Sequence, residues 1–194
     1  LFQLGNDYYL DEKYDQAIDI FENISKEYEH EDLYLNLGNS YYRIGKLGNA
    51  IWSYERGHLL SPRDNDIIYN LNYVRNQIRD KIIPPDDFFL IALYRAIIEK
   101  LTLIDLIGMS GLILLCLGAL YISKNFDIIS IKVSGIFYAI LLILFFSNGF
   151  IILDKYWAVS EEENGIVISV ESDVRSSPIN RGENIVFLVH EGTK

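Results

Sequence analysis

Two apolar runs constrain this chain more than anything else in it. Neither Leu106 to Ser123 nor Val133 to Leu153 holds a charged residue. As helices they would extend roughly 27 and 32 Å, against a hydrocarbon core of ~30 Å. Two buried helices of a soluble domain would look similar, so insertion energetics must decide. The first run carries nine Leu or Ile and the second fourteen Leu, Ile, Val or Phe. Each such residue contributes roughly −0.3 to −0.6 kcal/mol near the bilayer centre, which makes insertion favourable by several kcal/mol per run. The reading is a transmembrane hairpin over 102–155, with spans at 106–123 and 133–153. Its connection, Lys124 to Lys132, is too short to hold a domain. Everything before Leu106 and after Leu153 therefore emerges on one side of the membrane.

Charge outside the hairpin is uneven. Residues 1–80 hold fourteen Asp or Glu against eight Lys or Arg, and residues 154–194 hold eight against four. Acidic ends exclude nucleic acid, whose phosphates need clustered cations, and offer no polybasic attraction to anionic lipid. Cys116, the only cysteine, sits in the first run, so there is no disulfide framework and no CxxC. The chain opens at Leu1 inside a helical pattern and closes at Lys194 inside a β pattern, and is expected to be a piece of a longer protein.

An internal repeat precedes the hairpin. Gly5, Tyr8, Ala17 and Phe21 recur 33 residues later as Gly38, Tyr41, Ala50 and Tyr54. Such a period marks stacked supersecondary units. Each block has helical spacing broken by polar residues, at Asp11 to Lys13 and at Gly45 and Lys46, and so reads as a helical hairpin. Small residues at Gly38 and Ala50 let two helices approach closely, and Pro62 stops the second hairpin.

The order Leu37, Gly38, Tyr41, Ala50, Tyr54, Pro62 resembles the tetratricopeptide repeat. Leu4, Gly5, Tyr8, Ala17 and Phe21 fit the same frame, with Glu29 replacing the usual proline and one residue missing from the inter-repeat turn. Asp64 to Lys81 continues the apolar face through Ile68 and Leu71 but has Asn72 and Arg75 where Gly and Tyr are expected, and reads as a capping helix that closes the array at 1–82. The resemblance implies a groove, lined by the first helices, that binds an extended peptide or partner helix. Carried over by position, the groove is Phe2, Asn6 and Tyr9 with Leu35, Asn39, Tyr42 and Arg43. Asn6 and Asn39 would hydrogen-bond a peptide backbone; the alternative is a plain solvated face. A clamp for a terminal carboxylate is not expected, because its basic positions hold Phe2, Leu35 and Asp66.

Pro84 and Pro85 stiffen a linker, and Asp86 and Asp87 offer an N-cap to a helix over Phe88 to Lys100, within a segment at 83–101. That helix is apolar almost all round. It either lies against the membrane interface or packs under the repeats. Thr102 and Asp105 form a T-x-x-D capping box before the first span. Gly111 and Gly118 in the first span, and Gly135 and Ala139 in the second, form small-residue faces for close packing of the two helices or of another subunit. Ser147 and Asn148 are expected to hydrogen-bond a neighbouring helix. Lys124 and Lys132 favour a cytoplasmic loop, opposed by Arg95, Lys100 and Lys155 on the outer flanks.

Beyond Tyr156, Trp157 and the acidic run Glu161 to Glu163, Ile166 to Val170 and Ile185 to Val189 read as two strands joined by a loop carrying Ser176, Ser177, Pro178, Asn180 and Gly182. Val174, Arg175, Ser176, Ser177 and Pro178, followed by Gly192, Thr193 and Lys194, resemble the opening of a bacterial SH3-type domain, of which 164–194 would be about half. A plain hairpin is the alternative.

The expected fold is mainly α: tetratricopeptide-type hairpins and a two-helix transmembrane hairpin, with a truncated small all-β, SH3-like C-terminal domain. No catalytic, metal or cofactor constellation is present. His30, His58 and His190 lie in different segments and read as surface residues, and no Gly-rich loop follows a strand. A non-enzymatic protein without cofactors is expected.

The order of parts resembles the BatE-type proteins of the Bat aerotolerance operon. That resemblance implies a scaffold or adaptor of the bacterial inner membrane with two spans. Its repeats and SH3-like part would face the periplasm and work beside membrane proteins with von Willebrand A domains. The competing expectation is a wall-binding sensor whose SH3-like domain recognises peptidoglycan.

Overall fold

A computed structural model describes residues 1–81, 88–126, 131–161, 165–177 and 184–194. Among them are eight helices and two strands, so the chain is mainly helical with a small C-terminal sheet. It divides into two compact units, Leu1–Asp86 with Asn164–Lys194, and Asp87–Glu163.

The first unit begins with two helical hairpins, α1 (Phe2–Leu10) with α2 (Tyr14–Ser25) and α3 (Glu31–Arg43) with α4 (Leu47–Leu60), followed by α5 (Asn65–Arg75). The 33-residue repeat returns as repeated contacts. A Cβ on Gly5 would stand 2.5 Å from Cε1 of Phe21, and one on Gly38 would stand 2.5 Å from Cε1 of Tyr54. Only glycine lets the second helix lay its ring on the first at that distance. The breaks repeat too. Glu12 and Gly45 both adopt left-handed backbone, with φ 61° and 78°, which costs an L-residue but not glycine. Ala17, Phe21, Leu33, Leu37, Ala50, Ile51, Tyr54, Ile67, Leu71 and Val74 form the buried core, and each of the large side chains contributes roughly 1.5–3 kcal/mol by leaving water. Helix α5 starts on Asp64, whose carboxylate accepts from the amides of Asp66 and Ile67, and ends at Arg75, short of the Lys81 expected from sequence.

Residues 166–194 belong to this same unit rather than standing apart. Strands β1 (Glu171–Arg175) and β2 (Ile185–His190) pair antiparallel, with Glu171 opposite His190 and an irregularity at Val174/Arg175. The first strand thus begins after the expected Ile166 to Val170. The reason is competition for the backbone: Val167 spends both its groups on the turn beyond β2, its N–H donating to Thr193 O at 2.9 Å and its carbonyl accepting from Gly192 N at 2.8 Å, while Ile166 packs against the helical core. Pro178, Asn180 and Gly182 of the intervening loop lie outside the described residues.

Four residues of this segment bond the rest of the unit. Glu191 Oε1 accepts from the Gly48 amide at 2.8 Å; His190 bonds Asp80 through its amide (2.8 Å) and Nδ1 (2.9 Å); Thr193 is buried and its hydroxyl meets Asp80 Oδ2 at 3.3 Å as well as His190 O at 2.7 Å; and Lys194 pairs with Glu55 at 2.7 Å. His190 is thus not the solvated residue expected but a half-buried partner of Asp80. Its side chain holds the Asp80 carboxyl below the ordinary carboxylate range.

The second unit contains α6 (Phe89–Ile98), α7 (Leu103–Asn125) and α8 (Ile131–Glu161). Leu103–Asn125 and Ser134–Trp157 have mean hydropathy 2.3 and 2.5 and are long and apolar enough to cross a membrane. Helix α8 runs eight residues past the expected end of the span, carrying Tyr156, Trp157 and Glu161 on one continuous helix. The capping box is present, Thr102 Oγ1 accepting from Asp105 N at 3.1 Å and Asp105 Oδ2 from Thr102 N at 2.9 Å. At α6, Phe88 holds the N-cap position without a side-chain bond; Asp86 and Asp87, expected there, lie outside the described residues, as do Pro84 and Pro85.

The seam of this hairpin follows a heptad. Leu106, Ser110, Ile113 and Leu117 on α7, and Ser134, Tyr138, Leu141, Phe145 and Asn148 on α8, are buried or half-buried and spaced alternately four and three apart as in coiled-coil packing. Gly111, Gly118, Gly135 and Ala139 each fall one residue after a seam position, about 100° round the helix. All four are exposed, and a Cβ on any of the three glycines would meet nothing within 4 Å. Close packing of α7 on α8 is therefore not what these small residues do. Asn148 does cross the seam, donating to Leu106 O at 2.8 Å and to Ser110 Oγ at 2.7 Å, whereas Ser147 bonds its own helix at Ile143 O. Lys155 donates to the carbonyls of Ile98 (2.9 Å) and Leu101, and Tyr94 to Asp154 at 2.7 Å. These bonds tie the C-terminal end of α6 to α8.

Candidate functional site

Successive first helices of the stack are joined by an amide ladder. Asn36 Nδ2 on α3 donates to Asn6 Oδ1 on α1 at 3.0 Å, and Asn70 Nδ2 on α5 donates to Asn39 Oδ1 on α3 at 2.9 Å. The two rungs are equivalent once the period lengthens from 33 to 34 between α3 and α5. Asn39 Oδ1 also accepts from the Tyr54 hydroxyl at 2.8 Å. The carboxamide orientation is thereby set, oxygen inward on the ladder.

Beside the second rung lies an open cavity of ≈ 230 Å³, lined by Asn39, Tyr42, Tyr54, Tyr69, Asn70, Tyr73 and Val74. Its lining carries no charge. Tyr42 and Tyr73 meet edge to face with centroids 5.8 Å apart, and Tyr69 stacks on Tyr73 at 6.2 Å. Helix α5 places Tyr69 and Tyr73 on the same face because they are four residues apart. Tyr69 is 67% exposed and Tyr73 49%, so rings that would normally find cover stand open at the mouth.

Hydrogen bonding divides the three phenols. Tyr42 Oη accepts from Gln77 Nε2 at 3.3 Å, and this bond together with the neighbouring Tyr73 hydroxyl holds its pKa below the ordinary tyrosine value. Tyr73 is shifted up by the same neighbour. Burial pushes Tyr54 up as well.

Of the seven groove residues expected from sequence, Asn39 and Tyr42 line this cavity. The other five serve elsewhere. Phe2 packs its ring on Phe21 at 5.7 Å, Asn6 is the acceptor of the first rung, Tyr9 meets Tyr14 edge to face at 5.4 Å, Leu35 packs half-buried against the core, and Arg43 lies 5.6 Å over the Tyr14 ring. Sequence reading missed Tyr69, Asn70 and Tyr73. The signal was available: adding 34 to Leu35, Asn36 and Asn39 gives 69, 70 and 73, so the groove positions continue onto the helix taken only as a cap.

Among the described residues no group of three His, Cys, Asp or Glu side chains gathers as metal ligands. Compared with known proteins, the chain matches no family model, no curated protein and no solved structure. What the fold defines is a class: a mainly helical chain with repeated helical hairpins, a small C-terminal sheet seated on them, and two helices long and apolar enough to cross a membrane.

Proposed function

We propose that this chain is a non-enzymatic, membrane-anchored scaffold of the bacterial envelope, in which tetratricopeptide-type hairpins hold a segment of a partner protein. The observation that carries the reading is the uncharged cavity lined by Asn39, Tyr42, Tyr69 and Tyr73. It falls on the face that the repeat frame assigns to ligands, and it leaves aromatic rings open to solvent. The repeated Gly5/Phe21 and Gly38/Tyr54 contacts support the repeat identity. The two apolar helices support insertion as a two-span hairpin with both flanking parts on one side.

The order of parts supports a BatE-type role in the inner membrane, with the repeats and the SH3-like segment in the periplasm and von Willebrand A-domain membrane proteins as partners. Extraction from native membranes in mild detergent, affinity capture and identification of co-purifying proteins tests this. Capture of such proteins by the wild type, and its loss on Tyr42→Ala with Tyr69→Ala, is expected. Unchanged capture by the double variant refutes the groove assignment. Sedimentation with purified cell wall and no protein partner would favour the wall-binding sensor.

A further inference from the structure

Helix α6 is ten residues long, has Arg95 as its only charged residue, and buries none of its side chains. Phe88 at its N-cap and Phe89, Leu90, Ile91, Leu93 and Ile97 within it are each 46% to 66% exposed. A helix shorter than ~12–15 residues is marginal in water even without such a surface, so this one needs a cover.

Three observations say what the cover is. The first is a set of hydrogen bonds. Helix α6 belongs to the compact unit of the two long apolar helices, Asp87–Glu163, and not to that of the repeats. Its C-terminal half is bonded to the end of α8, where Tyr94 Oη donates to Asp154 at 2.7 Å and Lys155 Nζ donates to the carbonyls of Ile98 (2.9 Å) and Leu101. Asp154, Lys155, Tyr156 and Trp157 close the second span with the polar and aromatic residues that sit at headgroup level. The second is the connection: only Glu99, Lys100 and Leu101 separate α6 from the Thr102 cap at which α7 begins. Both ties hold the end of α6 at the height of the membrane surface. The third is topology. Residues 1–86 and 164–194 form one compact unit, so the crossings between them are even in number, and α7 with α8 supplies two. Helix α6 adds no third, since at 1.5 Å per residue it reaches about 15 Å, half of a hydrocarbon core of ~30 Å.

A short apolar helix held at the surface of a bilayer that it does not cross lies in that bilayer. Its sequence also gives it an orientation. Leu90, Leu93 and Ile97 share one face at i, i+3 and i+7, while Ala92 and Arg95 stand on the other. An arginine on the upper face reaches the headgroups with its guanidinium and covers apolar surface with its stem.

We infer that α6 is an in-plane membrane helix. It lies within the leaflet on the side of the repeats, with Leu90, Leu93 and Ile97 toward the acyl chains. This rests on the two-span reading above and adds to it a lipid-binding surface outside the spans.

The test uses the full chain in phosphatidylcholine vesicles. Cys116, the only cysteine, is replaced by serine, and single nitroxide labels are placed through Leu90→Cys, Leu93→Cys, Ala92→Cys and, as a control in the first span, Leu115→Cys. Circular dichroism checks that each labelled chain keeps its helix content. Power saturation then reads collision with oxygen, which concentrates in hydrocarbon, and with a water-soluble nickel chelate. The expected result is oxygen-dominated collision at Leu90 and Leu93, at depths of about 5–10 Å, with a ratio roughly fivefold above that at Ala92 because opposite faces of a helix ~10 Å across differ in depth. Leu115 should report a deeper site still. Nickel-dominated collision at Leu90 and Leu93 places α6 in water and overturns the inference. Low collision with both reagents there means a protein cover, the repeat array or a second copy, and overturns it equally. In either case an oxygen-dominated Leu115 leaves the two-span reading standing, whereas a nickel-accessible Leu115 refutes that reading and the inference with it.

Discussion

Gly48 is where the stability of one helix and the seating of the C-terminal segment are opposed, so Gly48→Ala separates them. It occupies the position that is Asp15 one repeat earlier, in the first turn of its helix. Asp15 supplies α2 with first-turn negative charge; α4 has none of its own and takes the Glu191 carboxylate instead, at 2.8 Å from the Gly48 amide. A Cβ at Gly48 would stand 2.5 Å from the Val167 carbonyl oxygen and 3.1 Å from Glu191 Cγ. The obstacle is backbone, so it cannot rotate away. Val167 would have to retreat by most of an ångström while bonded on both sides, to Gly192 and Thr193. The charge-assisted bond from Gly48 to Glu191 is worth ~1.5–3 kcal/mol, and alanine returns ~1 kcal/mol to the helix. The net loss is therefore about 0.5–2 kcal/mol and falls on the segment, while α4 itself is no less stable. Amide hydrogen exchange reads both. Protection at Gly192 and Val167 should fall about tenfold, that at Ala50 and Tyr54 should hold or rise, and the tail should be cut sooner by protease. Unchanged protection at Gly192 and Val167 would show that the segment does not approach α4 this closely and would refute the reasoning.

Three further outcomes are expected. Glu12→Gly should stabilise the first hairpin by about 0.5–1 kcal/mol and Gly45→Ala should destabilise the second by about 1 kcal/mol, read as opposite shifts in thermal midpoint, because both positions are left-handed. In the membrane hairpin, a double-mutant cycle of Asn148→Leu with Ser110→Ala should give a coupling of roughly 0.6 kcal/mol, up to ~1.7, by unfolding in micelles, with Ser147→Ala neutral because it bonds only its own helix. The Asp80 carboxyl is held below its ordinary value by His190, so the unfolded chain binds that proton more readily. Its contribution is fully present above about pH 4 and is lost as pH falls through the lower folded value; Asp80→Asn should remove this limb from an acid titration of tail protection.

What the linear sequence determined is what depends on neighbours along the chain. Apolar runs without charge specify helices long enough to span a bilayer; a 33-residue period specifies like hairpins; Thr102 and Asp105 specify a cap three residues apart. In each, the interacting groups are separated by one turn, one period or one run. The heptad seam of α7 and α8 is a spacing too and equally legible, and it lies one position before the small residues in each helix.

What only the tertiary structure decided involves distant partners. Glu191 and Gly48 are 143 residues apart, and His190 and Asp80 are 110; no propensity at either end names the other. For the same reason Val167 reads as a strand residue from its β-branched run but is drawn off by the turn beyond β2. Asn39 offers a donor and an acceptor in any sequence. Only the folded stack, by filling its oxygen from Tyr54 and Asn70, makes it a donor. Periodicity says which face of a helix is apolar or polar, and packing alone decides what covers that face and which polar atoms are left with capacity to bind.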